Sequence, residues 1–285
     1  MMLDREIPQF SASTEWVQSA FADLGELAWE GQCPSFNGAA PAWVAALLMH
    51  GSTTSLPDYL ANHRKLLEQF EGFRSLKRGL WSLRSAGTLD TCVVRAQSLT
   101  AYKAKIRTTT NRVLTPNAYS RDYLPPNPVS AREACRQIFR LRAAWTAKAE
   151  RNNALALSTY ITLLTVHPFE DGNGRTCRML LAADAMGGDR CDPISALAGL
   201  LLKGQQSMPF HLSARCARAG DFHMLAECHR SAMTFASANL TPILLALDSV
   251  PSDNYDKQSY WAERLFMGIT EGLHQGNSGL GTISL

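Results

Sequence analysis

HPFEDGNGRTCR, His167 to Arg178, gathers one histidine, two carboxylates, two glycines around an asparagine and two arginines. Loop formation alone calls for glycine and asparagine. It does not call for an imidazole, a carboxylate and two guanidinium groups in the same place. The flanks set the frame. ALALSTYITLLTV, Ala154 to Val166, runs apolar up to the histidine, and Pro168 forbids its continuation as a helix. A second helical stretch starts near Gly172 to Gly174 and runs from Asn173 to Met186, where Gly187 and Gly188 stop it. The stretch is therefore a junction between two helices, and it places the chain in the mainly α class.

That junction has the makings of an anion site. The first-turn N–H groups of the second helix lack intrahelical partners, and the glycines let phosphate oxygens approach the backbone. Asn173 adds a side-chain donor, while Arg175 and Arg178 stand three apart and turn two guanidinium forks to one ligand, as a polyphosphate requires. Asp171 is placed to hold Mg²⁺ against the same phosphates. His167, closing the preceding helix, is placed to take a proton from an attacking hydroxyl. Phe169 is expected to point inward and pin the loop. The sequence lacks G-K-[ST], so this is not a P-loop, and Arg175 stands where an EF-hand loop needs Asp or Asn.

Composition narrows the class. The chain has 285 residues, 46% hydrophobic and 19% charged, enough to bury a large core. A net charge of +3, from 28 basic and 25 acidic residues, makes nucleic acid or an anionic membrane an improbable partner. The seven cysteines (Cys33, Cys92, Cys135, Cys177, Cys191, Cys216, Cys228) are scattered without C-x-x-C or zinc-type spacing, which fits free thiols and a cytoplasmic setting. Cys177 reads as a packing residue, and His211, His223 and His229 as packing or surface residues without metal-ligand spacing. MMLDREIPQF has no apolar signal region, and the longest apolar run, about thirteen residues, is short of the ~20 a membrane span needs. Export by a signal-less route stays open.

Along the chain, helices are predicted from Ser13 or Thr14 toward Trp29, Ala42 to His50, the Ser55/Pro57 region to Phe70, and Phe73 to Ser85. Between Thr91 and Pro128 the β-branched run IRTTTNRVL and the turn-rich TPNAYSRDY predict a β-hairpin or extended flap. Helices resume from Ala131 to Ala149 and Asn153 to Val166, with several more to Ala238; the tail HQGNSGLGTISL is expected to fray. Three regions follow: 1–95, helical and packing on the core; 96–240, the catalytic core with its flap; 241–285, a helical extension and tail.

With these residues in view, the stretch resembles the Fic family signature H-x-F-x-[D/E]-G-N-G-R-x-x-R, matched at every defined position. The resemblance implies a Fic-type helical bundle with a β-hairpin flap beside the active-site loop. It also implies transfer of AMP from ATP to a Tyr, Ser or Thr hydroxyl of a target protein, with Mg²⁺ as cofactor and pyrophosphate released. Carried over by position, His167 would be the general base and Asp171 the Mg²⁺ ligand. Gly172, Asn173 and Gly174 would form the anion hole, Arg175 would assist the phosphates, Arg178 would clamp the γ-phosphate, and Phe169 would be structural. Flap residues Thr109, Thr110, Asn111, Arg112 and Val113 would hold the target by strand addition.

Many members of that family restrain themselves with a helix [S/T]-x-x-x-E-[G/N] whose glutamate pairs with the second motif arginine. In ALLMHGSTTSL, Ala46 and His50 stand at the serine and glutamate positions, so the element reads as degenerate. Ser259 with Glu263 is a weaker counterpart, since Arg264 follows. Restraint by a separate inhibitory partner, by export or by homo-oligomerisation stays open. So do transfer of another group (UMP, phosphocholine), removal of AMP, and a non-enzymatic helical module with a vestigial nucleotide site.

Overall fold

Helix α7 (Asn152–Val166) is the axis of the molecule in the computed structural model, which describes residues 9–26, 34–50, 55–70, 73–99, 104–110, 123–146, 152–188, 191–204 and 208–278. From Ala154 to Leu163 every residue of α7 is buried, as expected of a helix that is apolar on all sides. Thr162 fits there because its hydroxyl donates to the Ser158 carbonyl at 2.6 Å within the helix, whereas the buried hydroxyls of Ser158, Thr159 and Tyr160 have no hydrogen-bond partner among the described residues. Around it pack α1 (Thr14–Glu26), α6 (Pro128–Thr146), α8 (Asn173–Met186) and α9 (Pro193–Gly204). Helix α8 is as deeply buried and in turn contacts α2 (Ala40–His50), α4 (Phe73–Arg84) and α5 (Leu89–Leu99). α3 (Leu56–Phe70) lies on α2. α10 (Met208–Arg218), α11 (His223–Phe235), a π-helical turn (Ala236–Leu240), α12 (Thr241–Asp248) and α13 (Tyr255–Ser278) complete the chain. The architecture is mainly α.

The helix starts have local chemical causes. Ser13 Oγ accepts from Trp16 N–H, Ser55 Oγ from Asp58 N–H, Asn127 Oδ1 from Ser130 N–H and Asp192 Oδ1 from Ser195 N–H. Pro57, Pro128 and Pro193 each sit in a first turn, where a missing N–H costs nothing. The cap of α2 is different in kind. Asp248, at the far end of α12, accepts from Gly38 N–H (2.8 Å), Ala40 N–H (3.2 Å) and Asn37 N–H (3.0 Å).

Two predictions need correction. The stretch from Thr91 to Pro128 is not extended throughout, because α5 occupies Leu89–Leu99. The β-branched run that prompted the reading, IRTTTNRVL, begins only at Ile106. The winning features are a reciprocal Thr88–Thr91 cap and Leu89, Cys92, Ala96 and Leu99 buried at helical spacing. The tail also stays helical to Ser278, four residues beyond the expected fraying point at His274; residues 279–285 lie outside the described residues.

A buried ion pair ties three helices. Arg142 of α6 donates to both carboxylate oxygens of Asp184 in α8, with Nε 3.0 Å from Oδ2, and also to the carbonyls of Ala86 and Leu83. Arg84 of α4 donates to the Asp184 carbonyl at 3.1 Å. Both members of the pair are sealed from solvent, at 1% and 0% exposure. All six described cysteines are free thiols, with Cys92, Cys135, Cys177 and Cys191 buried. Among the described residues no helix is long and apolar enough to cross a membrane.

Candidate active site

The loop 167–172 joins the end of α7 to the start of α8. The His167 N–H donates to Leu163 O at 2.9 Å, which carries the last helical turn onto the histidine. There the backbone turns left-handed, with φ 54°. This is the position at which helices usually place glycine, and a histidine held there costs ~1 kcal/mol or more. The surrounding structure must therefore fix it, and Arg107 does so.

Arg107 is 1% exposed and lies under the loop. Its Nε donates to the His167 carbonyl at 2.7 Å, and its terminal nitrogens donate to the carbonyls of Thr109 (3.2 Å), Val166 (3.4 Å) and Pro126. The backbone around it adds a short ladder. Arg107 N–H donates to Pro168 O at 3.0 Å, Glu170 N–H donates to Lys105 O at 2.8 Å, and Ile106 bridges Phe169 in antiparallel register. A Lys105–Glu170 ion pair at 3.0 Å closes the outer side. One arginine thus joins the end of α7, the base of the flap and the lead-in to α6. Sequence reading missed it, because an arginine within a β-branched run carries no local mark of burial.

Inside the loop, Asn173 closes a ring with Phe169: Phe169 N–H donates to Oδ1 at 2.9 Å and Nδ2 donates to Phe169 O at 2.8 Å. Its side chain, expected to face an anion, holds the loop shut instead, and only its backbone N–H is left for the helix start. Phe169 points inward at 1% exposure, as its place in the motif predicted. Gly172 has φ 76°, a conformation that side chains rarely adopt. The Thr176 N–H donates to Gly172 O at 2.9 Å and opens the intrahelical ladder of α8, so Asn173 and Gly174 precede it.

Asp171 is 83% exposed; its Oδ1 accepts from Gly172 N–H at 2.6 Å, and its Oδ2 lies 3.8 Å from Arg175. Arg175 is half exposed, and that pair is too long and too solvated to hold either group firmly. Among the described residues no group of three or more His, Cys, Asp or Glu side chains is arranged to hold a metal by itself. As a single exposed carboxylate beside the start of α8, Asp171 could serve an ion that takes one or two carboxylates and brings phosphate and water as its other ligands. Of the flap residues, Thr109 and Thr110 are exposed beside the loop; Asn111, Arg112 and Val113 lie outside the described residues.

Residues 53–183 match the model of the Fic/DOC family. The chain carries a Fic domain. The motif 167–178 lies wholly within the matched span. No curated protein matches the chain.

The Fic domain's second motif arginine is engaged from outside that span. Arg178 Nε donates at 2.8 Å to the carbonyl of Leu48, in the last turn of α2. Burial lowers the Arg178 guanidinium from its ordinary value, and the nearby phenol of Tyr160, itself raised by burial, opposes that shift. Glu263 is exposed on α13, which packs on α3, α9 and α12.

Proposed function

We propose that this Fic-domain protein moves AMP from ATP to a Tyr, Ser or Thr hydroxyl of a target protein, with Mg²⁺ bound alongside the nucleotide. The observation that carries this reading is the pairing of a left-handed His167 closing α7 with a left-handed Gly172 opening α8, across a loop pinned from both sides by Arg107 and Asn173. This supports the reading because His167 and the start of α8 are held relative to each other by the chain's own hydrogen bonds, as an in-line displacement needs.

In this reading the His167 imidazole accepts the proton of the target hydroxyl, whose oxygen bonds to the α-phosphorus. The bond from that phosphorus to the oxygen bridging the β-phosphate breaks, pyrophosphate leaves, and His167 returns its proton to water. The backbone N–H groups at Gly174 and Asn173 face the phosphate oxygens, and Arg175 and Arg178 hold the polyphosphate by charge. Asp171 would hold Mg²⁺, which neutralises charge on the α- and β-phosphates.

The test uses ATP labelled in turn at the α- and γ-phosphate, with Mg²⁺, a cell lysate as target source, and the His167→Ala variant. Label entering protein from the α position alone, and lost in the variant, is the expected result. Label from the γ position would mean phosphoryl transfer and would overturn the reading.

A further inference from the structure

Beside the flap base lies a cavity of about 460 Å³ between the start of α5 and one face of α6. Arg132, Arg136 and Arg140 line one wall, Phe139 and Ile106 are among its apolar members, and Asp90 stands at the α5 end. Three cations, set against Asp90 in the lining and the Glu133 beside Arg136, leave a local excess of positive charge in a chain whose whole net charge is +3. All three arginines are exposed. Arg136 is paired with Glu133 on its own helix, an exposed pair of little strength, while Arg132 and Arg140 have no ion pair among the described residues.

From this groove we infer a docking site for an acidic segment of the target protein, one with carboxylates at alternate positions of an extended chain. The spacing supports it. Residues four apart on a helix are offset by ~6 Å along the axis, and same-face residues of an extended chain repeat every ~6.6–6.8 Å. A rail of arginines at 132, 136 and 140 therefore meets three successive same-face carboxylates with little mismatch, and guanidinium forks suit carboxylate geometry. A single-stranded nucleic acid would also bring regular negative charge, but it binds through aromatic faces open to its bases. The aromatic residue here, Phe139, is 0% exposed.

The groove's position gives it a use. Ile106 lines it and also bridges Phe169, two residues from His167, so the groove and the motif loop share one backbone segment. A target held there has its neighbouring residues at the flap. This role in choosing substrates rests on the AMP-transfer reading above; the binding itself does not.

The experiment measures fluorescence anisotropy of a labelled peptide with glutamates at three alternate positions. It is titrated with the full chain, with His167→Ala, and with the triple variant Arg132→Ala, Arg136→Ala, Arg140→Ala. Alanine on an exposed helix face keeps the helix, and melting temperature confirms folding. Saturable binding that weakens with salt, is unchanged in His167→Ala and falls at least tenfold in the triple variant is expected. In the transfer assay, the triple variant should raise KM for an acid-bearing target and leave kcat alone. No saturable binding, or equal binding by the triple variant, would overturn the inference. So would tighter, arginine-dependent binding of charge-matched oligothymidylate or of inorganic phosphate. Peptide binding without label transfer from any nucleotide would uphold the groove and overturn the AMP-transfer reading alone.

Discussion

Arg178 of the Fic motif donates through Nε to the backbone carbonyl of Leu48, 2.8 Å away, in the last turn of α2. The helix that ends at the motif's second arginine precedes residue 53, where the family match begins. Its final residue, His50, stands where a restraining glutamate would. A carbonyl is a neutral acceptor and leaves the charge of the guanidinium for a phosphate; a carboxylate would compete for it. Replacing His50 with glutamate should therefore weaken ATP binding at least fivefold, measured by calorimetric titration. Glu263→Ala should leave ATP affinity within twofold of wild type, and a large gain would show that α13 restrains the site.

Removing Arg107 should uncouple chemistry from binding. Arg107→Ala leaves the carbonyls of Val166, His167, Thr109 and Pro126 without this donor, and the buried ones, of Val166 and Pro126, cost ~1–3 kcal/mol each. The melting temperature should fall by roughly 5 °C or more. Below it, kcat should drop at least tenfold while KM for ATP changes little, because the left-handed turn at His167 loses its support. Arg107→Lys should recover part of the stability and little of the rate, since one ammonium cannot reach four carbonyls.

The Arg142–Asp184 pair offers a thermodynamic test away from the site. Asp184→Ala strands a buried guanidinium and should cost ~3–5 kcal/mol in urea unfolding. The double replacement Arg142→Met with Asp184→Leu should cost clearly less than either single change, because no charge is then buried alone. A double variant as unstable as Asp184→Ala would mean that the helix–carbonyl bonds of Arg142, and not the charge pairing, hold α4, α6 and α8 together.

Acid sensitivity follows from two buried histidines. His63 is stacked on Trp43 with ring centroids 3.3 Å apart, neither ring nitrogen has a hydrogen-bond partner among the described residues, and burial pushes its pKa down to about 3. Burial pushes His229 down to about 4. Both are neutral in the folded chain and bind protons on unfolding below the ordinary histidine value of 6.5. Their contribution is fully present above pH 6.5 and is lost as pH falls, at up to ~1.4 kcal/mol per pH unit for each histidine. Urea midpoints at pH 7 and pH 5 should differ accordingly. His63→Phe, which keeps a flat ring against Trp43, should roughly halve the difference; an unchanged difference would place the acid sensitivity elsewhere.

The motif residues were legible in sequence because their roles are local. Glycine at 172 declares a left-handed turn, Pro168 ends a helix, and the apolar run before them can only be a buried helix. The helix starts at Ser13 and Ser55 were legible for the same reason, since each caps within three residues of itself. Helix α5 was missed because the β-branched run at 106–114 set the reading for the whole stretch from Thr91, whereas the Thr88–Thr91 cap starts a helix just before it.

Other features depend on partners far apart in the chain, and no local pattern encodes them. Asp248 caps a helix more than two hundred residues before it, Arg107 supports His167 from sixty residues away, and the Leu48 carbonyl meets Arg178 across 130 residues. Hydrogen bonds and burial are properties of position in space. The sequence by itself determined which groups could do chemistry and the turns that carry them; only the tertiary structure decided which arginine holds the histidine, which is held by a helix end, and which three line a groove.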